Sequence, residues 1–130
     1  MLKFVTTTII LTFILTSCSS LSDTGANTLL KESSNTRYDK KAILFLKEAG
    51  ATVSDSYQVM VCANSHTLDK GEVGNTFTVD TNHGSTPLGP ESINFIWLGN
   101  DTLQIDYDKK LRTFIQQKKV NGVTIIYKAR

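Results

Sequence analysis

Apolar and polar residues alternate along much of the chain after residue 38. A period of two is typical of strands that bury one face. It recurs, with one exception at Asp55, in residues 52–62, 76–80, 93–98 and 102–107. Residues 42–46 form a continuous apolar run instead, and because Ala49-Gly50-Ala51 closes it within a few residues we interpret it as a buried strand.

Two turn signals divide the later strands into hairpins. Gly99-Asn100-Asp101 separates residues 93–98 from 102–107, and Asn121-Gly122 separates 114–120 from 123–127. Asn-Gly favours the two positive φ angles of a type I′ turn, whose twist suits a hairpin. The sequence therefore predicts an all-β domain, an antiparallel meander of about six or seven strands that forms a sandwich or a small open barrel.

The alternation also predicts which side chains point into the core. The expected inward residues are Ile93, Phe95, Trp97, Leu103, Ile105, Tyr107, Val123, Ile125 and Tyr127. The partner of the last strand is polar and carries adjacent lysines, as exposed sheet edges often do.

The start of the chain has a different pattern. Lys3 precedes an apolar stretch over residues 4–15, and Leu15-Thr16-Ser17-Cys18 follows it. A cationic end, a short apolar run and small residues before a cut are typical of a secretory signal peptide. The stretch holds twelve residues, four of them threonine, whereas a transmembrane helix needs about 20 apolar residues. We therefore predict a signal peptide over residues 1–17.

Residues 15–18 resemble the lipobox of bacterial lipoproteins, in which the cysteine is lipidated and becomes the mature N-terminus. The resemblance implies acyl chains such as palmitate on Cys18, and two chains suffice for stable anchoring. Ser19 and Ser20, with no aspartate after the cysteine, resemble the sorting signal of outer-membrane lipoproteins that face the periplasm in a Gram-negative cell. In a Gram-positive cell the anchor would be the cytoplasmic membrane. A secretory signal cut near Ser17 without lipidation is the alternative.

The predicted organisation is a signal peptide over 1–17, a lipidated Cys18 with a flexible tether over 18–37, and a β domain over 38–130. The tether is rich in Ser, Thr, Asn and Asp, with one helical turn expected near residues 29–32. Lipidation of Cys18 leaves Cys62 without a partner. We interpret Cys62 as a small buried hydrophobe, and an intermolecular disulfide or a reactive thiol is the alternative.

The formal net charge of +2 conceals a segregation of charge along the chain. Residues 48–108 include nine acidic residues and one basic residue, Lys70, whereas the charged residues of the segment 109–130 are all basic. These are Lys109, Lys110, Arg112, Lys118, Lys119, Lys128 and Arg130. Such segments pair with each other or contact an anionic partner, such as lipid headgroups, an envelope protein or a polysaccharide. We favour internal pairing, and secretion with a near-neutral mature charge argues against nucleic acid.

No arrangement of residues marks a catalytic site. The chain has no nucleophile elbow, no glycine-rich phosphate loop and no marked pair of carboxylates. His66 precedes Asp69 by three residues and Asp80 precedes His83 by three, and these four side chains could bind a first-row metal if their loops met. The spacing is not diagnostic, so we predict no cofactor, no metal and no enzyme.

Four segments of the mature chain are similar to small bacterial envelope proteins of no assigned function. They are Ala49-Gly50-Ala51-Thr52-Val53-Ser54-Asp55-Ser56-Tyr57-Gln58-Val59, Gly74-Asn75-Thr76-Phe77, Asn94-Phe95-Ile96-Trp97-Leu98 and Asp101-Thr102-Leu103-Gln104-Ile105. The resemblance implies a small β fold over roughly residues 38–128 and carries over no catalytic residue. We expect a non-enzymatic binding or structural module of the cell envelope.

The alternative function is inhibition of an envelope-directed hydrolase through the loop at residues 82–90 or the basic C-terminal hairpin. Lipoprotein inhibitors of lysozyme are also small and β-rich. Their Ser-Gly-x-x-Tyr loop and their paired cysteines are absent from this sequence.

Overall fold

The computed structural model describes residues 26–50 and 54–130, which form two β-sheets packed face to face. The strands are β1 (Asn27–Ser34), β2 (Lys40–Lys47), β3 (Ser56–Ala63), β4 (Phe77–Asp80), β5 (Ile93–Trp97), β6 (Thr102–Tyr107), β7 (Arg112–Gln116), β8 (Lys119–Val120) and β9 (Val123–Ala129). One sheet has the order β1-β2-β3-β4-β7 and the other β5-β6-β9-β8. The predicted all-β fold, expected as a sandwich or a small open barrel of about six or seven strands, is confirmed as a sandwich, with nine strands in the described residues.

Three features predicted from the sequence lie outside the described residues. They are the signal peptide, the lipidation site Cys18 and the first part of the predicted tether, up to residue 25. Residues 51–53, at the start of one predicted strand, are also outside them. Over residues 26–50 and 54–130 there is no helix long and apolar enough to cross a membrane.

Both predicted hairpins are present. β5 pairs antiparallel with β6, and the Leu98 amide donates to the Thr102 carbonyl at 2.9 Å across the turn. β8 pairs antiparallel with β9, and Asn121 and Gly122 have φ angles of 50° and 77°. Positive φ at both positions is what the type I′ turn requires.

The topology departs from a simple meander at two places. β4 pairs with β7 rather than with β5, and β6 pairs with β9 in parallel. The chain leaves the five-stranded sheet after β4, forms the β5–β6 hairpin in the opposite sheet, and returns as β7. Alternation within a strand indicates its buried face but not its neighbour, so the sequence did not predict these pairings.

The polar segment 114–120, predicted as one strand, is divided between the two sheets. Its first part lies in β7 of the five-stranded sheet and its second part in β8 of the four-stranded sheet. At the crossing the Gln117 amide donates to the Thr76 carbonyl at 2.9 Å. The Tyr127 hydroxyl donates to the Gln117 carbonyl at 2.6 Å and lies 3.1 Å from the Thr76 carbonyl. Burial raises the pKa of Tyr127, which keeps the hydroxyl protonated as a donor.

The position of β1 shows that part of the predicted tether belongs to the β domain. Residues 27–34 were expected to be flexible, with a helical turn at 29–32, but they pair antiparallel with β2 and bulge between Leu29 and Lys31. Most β1 side chains are exposed or half-buried, so the strand has no apolar alternation that sequence reasoning could detect. The β domain therefore begins near Asn27 rather than at residue 38.

Side chains also fasten β1 to the opposite sheet. The Lys31 ammonium donates to the Ile93 carbonyl at 2.7 Å and to the Asn94 side-chain oxygen at 3.1 Å. The Trp97 indole donates to the Ser33 carbonyl at 2.9 Å. These bonds join β1 and β5, the edge strands on one side of the sandwich.

The main core lies between the two sheets, and the alternation predicted its members. Ile93, Leu103, Ile105, Val123 and Ile125 are buried there, and the other predicted inward residues, Phe95, Trp97, Tyr107 and Tyr127, pack against it. The five-stranded sheet contributes Ala42, Leu44, Tyr57, Val59, Val61, Phe77 and Val79.

A second, smaller cluster covers the outer face of β2 and β3. Ile43, Phe45, Met60 and Cys62 are buried there, and Leu68 of the β3–β4 loop packs on them. β2 is thus buried on both faces, which explains its continuous apolar run. Cys62 is a free thiol in the described part of the chain, and burial raises its pKa. Its interpretation as a buried hydrophobe is confirmed.

The β3–β4 loop is held on this face by a side chain that acts as a strand partner. The side-chain oxygen of Asn75 accepts from the Val61 backbone amide at 2.9 Å, and its side-chain nitrogen donates to the Val61 carbonyl at 3.0 Å. Gly74 beside it approaches β3 so closely that a Cβ would lie 2.9 Å from the Val59 carbonyl. This close approach explains the glycine.

We expect Lys31→Met to loosen β1. The substitution keeps the length of the side chain and removes its charge-assisted hydrogen bonds to β5, which should lower the free energy of unfolding by about 1–2 kcal/mol. Urea denaturation measures the loss, and hydrogen exchange should show faster exchange of β1 amides. Lys118→Met, at an exposed lysine, is the matched control; an equal effect of both substitutions would contradict this role of Lys31.

Candidate functional site

One row of paired residues crosses all five strands of the larger sheet. Asn27, Lys47, Ser56, Asp80 and Arg112 are successive partners from β1 to β7. We call the end of the sandwich that contains this row the N-terminal end, because the chain enters the sheet there. The opposite end, with the turns at residues 35–39, 98–101 and 121–122, is called the distal end.

The short β6–β7 turn brings the corresponding end of the smaller sheet to the same place. Residues 108–111 connect Tyr107 of β6 to Arg112 of β7, and the Leu111 amide donates to the Asp108 carbonyl at 3.1 Å. The Arg130 amide donates to the Tyr107 carbonyl at 2.9 Å. The end of β9 therefore lies beside this turn, at the N-terminal end.

Three basic side chains meet around an open groove at the N-terminal end. The groove has a volume of about 450 Å³ and is lined by Lys109, Lys110, Arg130, Glu91 and Asp108; we call it the basic groove. The Lys109 amide donates to the Arg130 carbonyl at 3.1 Å, and the Arg130 guanidinium donates to the Glu91 carbonyl at 2.8 Å. These bonds hold the ends of β6 and β9 together with the segment that precedes β5.

The cations of the basic groove are not neutralised by ion pairs within residues 26–50 and 54–130, a property that they share with Lys118, Lys119 and Lys128. Among the described residues, no carboxylate forms a salt bridge with Lys109, Lys110 or Arg130. The Asp108 carboxylate accepts from the Lys110 backbone amide at 2.9 Å. With two carboxylates among its five lining side chains, the groove has a summed side-chain charge of +1.

The remaining predicted basic residues lie elsewhere. Arg112 is paired within the protein, and Lys128 is exposed on β9 opposite Asp106. Lys119 pairs in register with Thr124, six residues before Arg130, so it lies about 20 Å from the basic groove at the usual strand rise. Lys118 and Lys119 are therefore at the distal end, and the seven basic residues do not form one surface.

Asp80 and Arg112 form the most buried ion pair at the N-terminal end. The Arg112 guanidinium donates to both oxygens of Asp80, at 3.1 Å from Nε to Oδ1. This hydrogen bonding lowers the pKa of Asp80 and raises that of Arg112. The His83 Nε2 lies 3.0 Å from Arg112 Nη1, and because arginine only donates, Nε2 is the acceptor. Arg112 also lies over the Phe114 ring, 4.7 Å from its centroid.

The same carboxylate shapes the exposed loop that follows β4. Asp80 accepts from the Asn82 amide at 2.9 Å, and the Thr81 hydroxyl accepts from the Gly84 amide at 3.0 Å. Asn82, His83 and Gly84 have φ angles of 49°, 59° and 79°, a left-handed turn that costs energy for the two non-glycine residues. The first part of the predicted 82–90 loop is thus a preformed turn.

The four metal candidates form two separate groups. His66 lines a groove beside β1, and the Asp69 carbonyl accepts from the Asn27 side chain at 2.8 Å. Asp80 lies in β4, three strands away, or about 14 Å at the usual strand spacing. The loops therefore do not meet as the metal hypothesis required. Across residues 26–50 and 54–130, no three His, Cys, Asp or Glu side chains are close enough to hold a metal ion.

The groove at His66 has a volume of about 320 Å³, and its ionisable side chains lie close to other side chains of the protein. His66 Nε2 lies 2.6 Å from Glu72 Oε1, and the Lys41 ammonium lies 2.9 Å from Glu32 Oε1. Leu29 and Leu68 contribute apolar surface. The sequence did not predict this groove, because it depends on β1 and on the return of the β3–β4 loop toward Asn27.

Comparison of the chain with protein-family models, with curated proteins and with solved structures found no match. The resemblance of the leader to lipoproteins, and of the mature chain to small envelope proteins, therefore stays a prediction.

The Asp80–Arg112 pair predicts an acid-dependent loss of stability. Because the folded-state pKa of Asp80 is lowered, its contribution is fully present above the unfolded-state pKa of about 4 and is lost as the pH falls through the folded-state value. Asp80→Asn should therefore destabilise the protein at neutral pH and flatten the acid side of its stability profile, measured by thermal unfolding from neutral to acidic pH.

Asp69→Asn is the matched control, because the Asp69 side chain makes no salt bridge in the described part of the chain. The control should keep the wild-type profile. Parallel profiles for wild type and Asp80→Asn would show that the ion pair does not contribute.

Proposed function

We propose that this protein is a bacterial lipoprotein, anchored through Cys18 to a membrane of the cell envelope. In this proposal its β sandwich acts as a non-enzymatic binding or structural module. The lipobox-like residues 15–18 support the anchor, and the position of β1 supports a short distance between the anchor and the sandwich, because Asn27 follows Cys18 by only nine residues. Acylation of Cys18 would therefore hold the sandwich directly at the membrane.

The length of the linking segment limits the distance between the anchor and the sandwich. Nine residues span at most about 30 Å when fully extended. A flexible chain of this length has a root-mean-square span of about 15–18 Å. The N-terminal end, where Asn27 lies, would face the membrane, and the distal end would face the periplasm or the cell wall.

The contacts of the titratable side chains favour a binding or structural role over catalysis. Asp80 and His83 both contact Arg112, and His66 contacts Glu72. In this proposal these groups stabilise turns and loops. The two grooves are open and lined largely by charged or polar side chains, whereas small-molecule sites are usually concave and mostly apolar.

Cys18→Ala should move the protein from the membrane fraction to the soluble fraction. It should also abolish incorporation of radiolabelled palmitate, because the acylated thiol is gone. Cys62→Ala is the matched control and should change neither result. Palmitate-free wild-type protein, or a Cys18→Ala protein that stays in the membrane fraction, would contradict the lipid anchor at Cys18.

Inhibition of an envelope-directed hydrolase is the second candidate function. The preformed turn at Asn82, His83 and Gly84 favours it, because a rigid exposed loop loses little conformational entropy when it enters a cleft. Affinity capture from intact envelopes separates the two proposals. Capture of a hydrolase that is lost when the turn is replaced, with inhibition of its activity, would support inhibition; hydrolase capture that persists would contradict it.

A further inference from the structure

We propose that the basic groove binds the phosphates of anionic lipid headgroups and docks the sandwich on the membrane that holds Cys18. Lys109, Lys110 and Arg130 would provide the contacts. The inference rests on the proposed lipid anchor and adds to it a binding surface, a ligand class and an orientation.

The location of the basic groove favours contact with the membrane. The basic groove lies at the same end of the sandwich as Asn27, since the 108–111 turn connects directly to Arg112 in the row that begins at Asn27. A linking segment of nine residues brings this end within about 30 Å of the acylated residue. Contact between the groove and the headgroups requires no rearrangement of the sandwich.

The three cations of the basic groove are available to an external anion. Arg112 is bound to Asp80, Arg37 to Asp101, and Lys41 to Glu32, whereas the three cations of the basic groove form no salt bridge among the described residues. Phosphate oxygens accept charge-assisted hydrogen bonds from both ammonium and guanidinium groups. A phosphate would therefore give Lys109 and Lys110 an ion-pair partner, and it would also accept from Arg130, whose guanidinium already donates to the Glu91 carbonyl.

Carboxylates at the N-terminal end determine which side of that end would contact the membrane. Glu91 and Asp108 line the groove itself, while Glu48 and Asp55 lie in the β2–β3 connection of the larger sheet. Packed sheets are separated by about 10 Å, close to the Debye length of 8–10 Å at physiological salt. We infer that the sandwich tilts so that the ends of β6 and β9 contact the headgroups and the β2–β3 connection is held away from them.

Because the sandwich is linked to the anchor, weak headgroup binding by the basic groove would be sufficient to orient it. Linking two binding elements through a short segment raises the effective concentration for the second binding event into the millimolar range. Each basic side chain near an anionic surface increases binding by roughly fivefold, which corresponds to about 1 kcal/mol. Headgroup binding by the groove would thus be too weak to hold a free domain and strong enough to orient an anchored one.

The orientation is tested on the full-length lipidated protein in vesicles. A fluorophore is attached after Pro87→Cys, in an exposed loop at the N-terminal end, or after Leu98→Cys, in an exposed turn at the distal end. Vesicles contain phosphatidylcholine alone or with phosphatidylglycerol, together with a lipid that carries a quencher on its headgroup. Cys62 is buried and stays unlabelled under native conditions.

Phosphatidylglycerol should increase quenching of the label at residue 87 and not of the label at residue 98. Lys109→Glu/Lys110→Glu should remove the increase, as should high salt. The matched control is Lys118→Glu/Lys119→Glu, which makes the same change of charge at the distal end and should preserve it. Equal quenching of both labels in anchored protein, or equal effects of the two double variants, would overturn the proposed docking.

A second measurement separates failure of docking from failure of the anchor. The unlipidated Cys18→Ala protein should partition weakly into phosphatidylglycerol vesicles, and Lys109→Ala/Lys110→Ala should reduce its partition coefficient by about 25-fold, at roughly fivefold for each lysine. This reduction would support the groove even if Cys18 proved unmodified. Partitioning that the substitution leaves unchanged would overturn the groove even if Cys18 proved lipidated.

Discussion

The architecture depends on the point where the chain crosses from one sheet to the other between β7 and β8. The hydroxyl of the half-buried Tyr127 donates a hydrogen bond to the Gln117 carbonyl at this crossing, where the described strands of the two sheets leave that carbonyl without a ladder partner. Its ring packs 5.2 Å from Phe77, which in turn lies 5.0 Å from Tyr107. One aromatic cluster thus joins β4 of the larger sheet to β6 and β9 of the smaller. The backbone carbonyl of the same Tyr107 accepts a hydrogen bond from the Arg130 amide, so the geometry of the basic groove depends on this cluster.

The sequence predicted the structure well in strands where every second side chain enters the core. β5, β6 and β9 have this pattern, and two turns with strong glycine and asparagine preferences were predicted with them. β1 was missed because its stability comes from backbone pairing and from Lys31 and Trp97, which act over more than sixty residues of sequence. The parallel pairing of β6 and β9 is equally non-local, since two inward faces fit the same core in more than one strand order.

The contrast between local sequence pattern and non-local contacts also explains which part of the candidate site was predicted. All three cations of the basic groove belong to the basic segment at residues 109–130, so composition alone identified them. Composition could not show that Arg112 is neutralised by Asp80 or that β9 carries Lys119 and Arg130 to opposite ends of the molecule. Nor could it include Glu91 and Asp108, which reduce the summed side-chain charge of the groove to +1. The structure divides one basic segment into a paired residue, a groove and a distal pair.

The reassignment of β1 changes the meaning of the basic groove. A flexible tether extending to residue 37 would have connected to the β1–β2 turn at the distal end, and the groove would then have faced away from an anchored membrane. Because the chain enters the sandwich at Asn27, the segment after Cys18 is shorter and attaches at the opposite end. Lys31 therefore contributes to orientation as well as to stability, since its bonds to Ile93 and Asn94 help hold β1 in the sandwich. If β1 detached, the linking segment would lengthen and the groove would lose its fixed relation to the membrane.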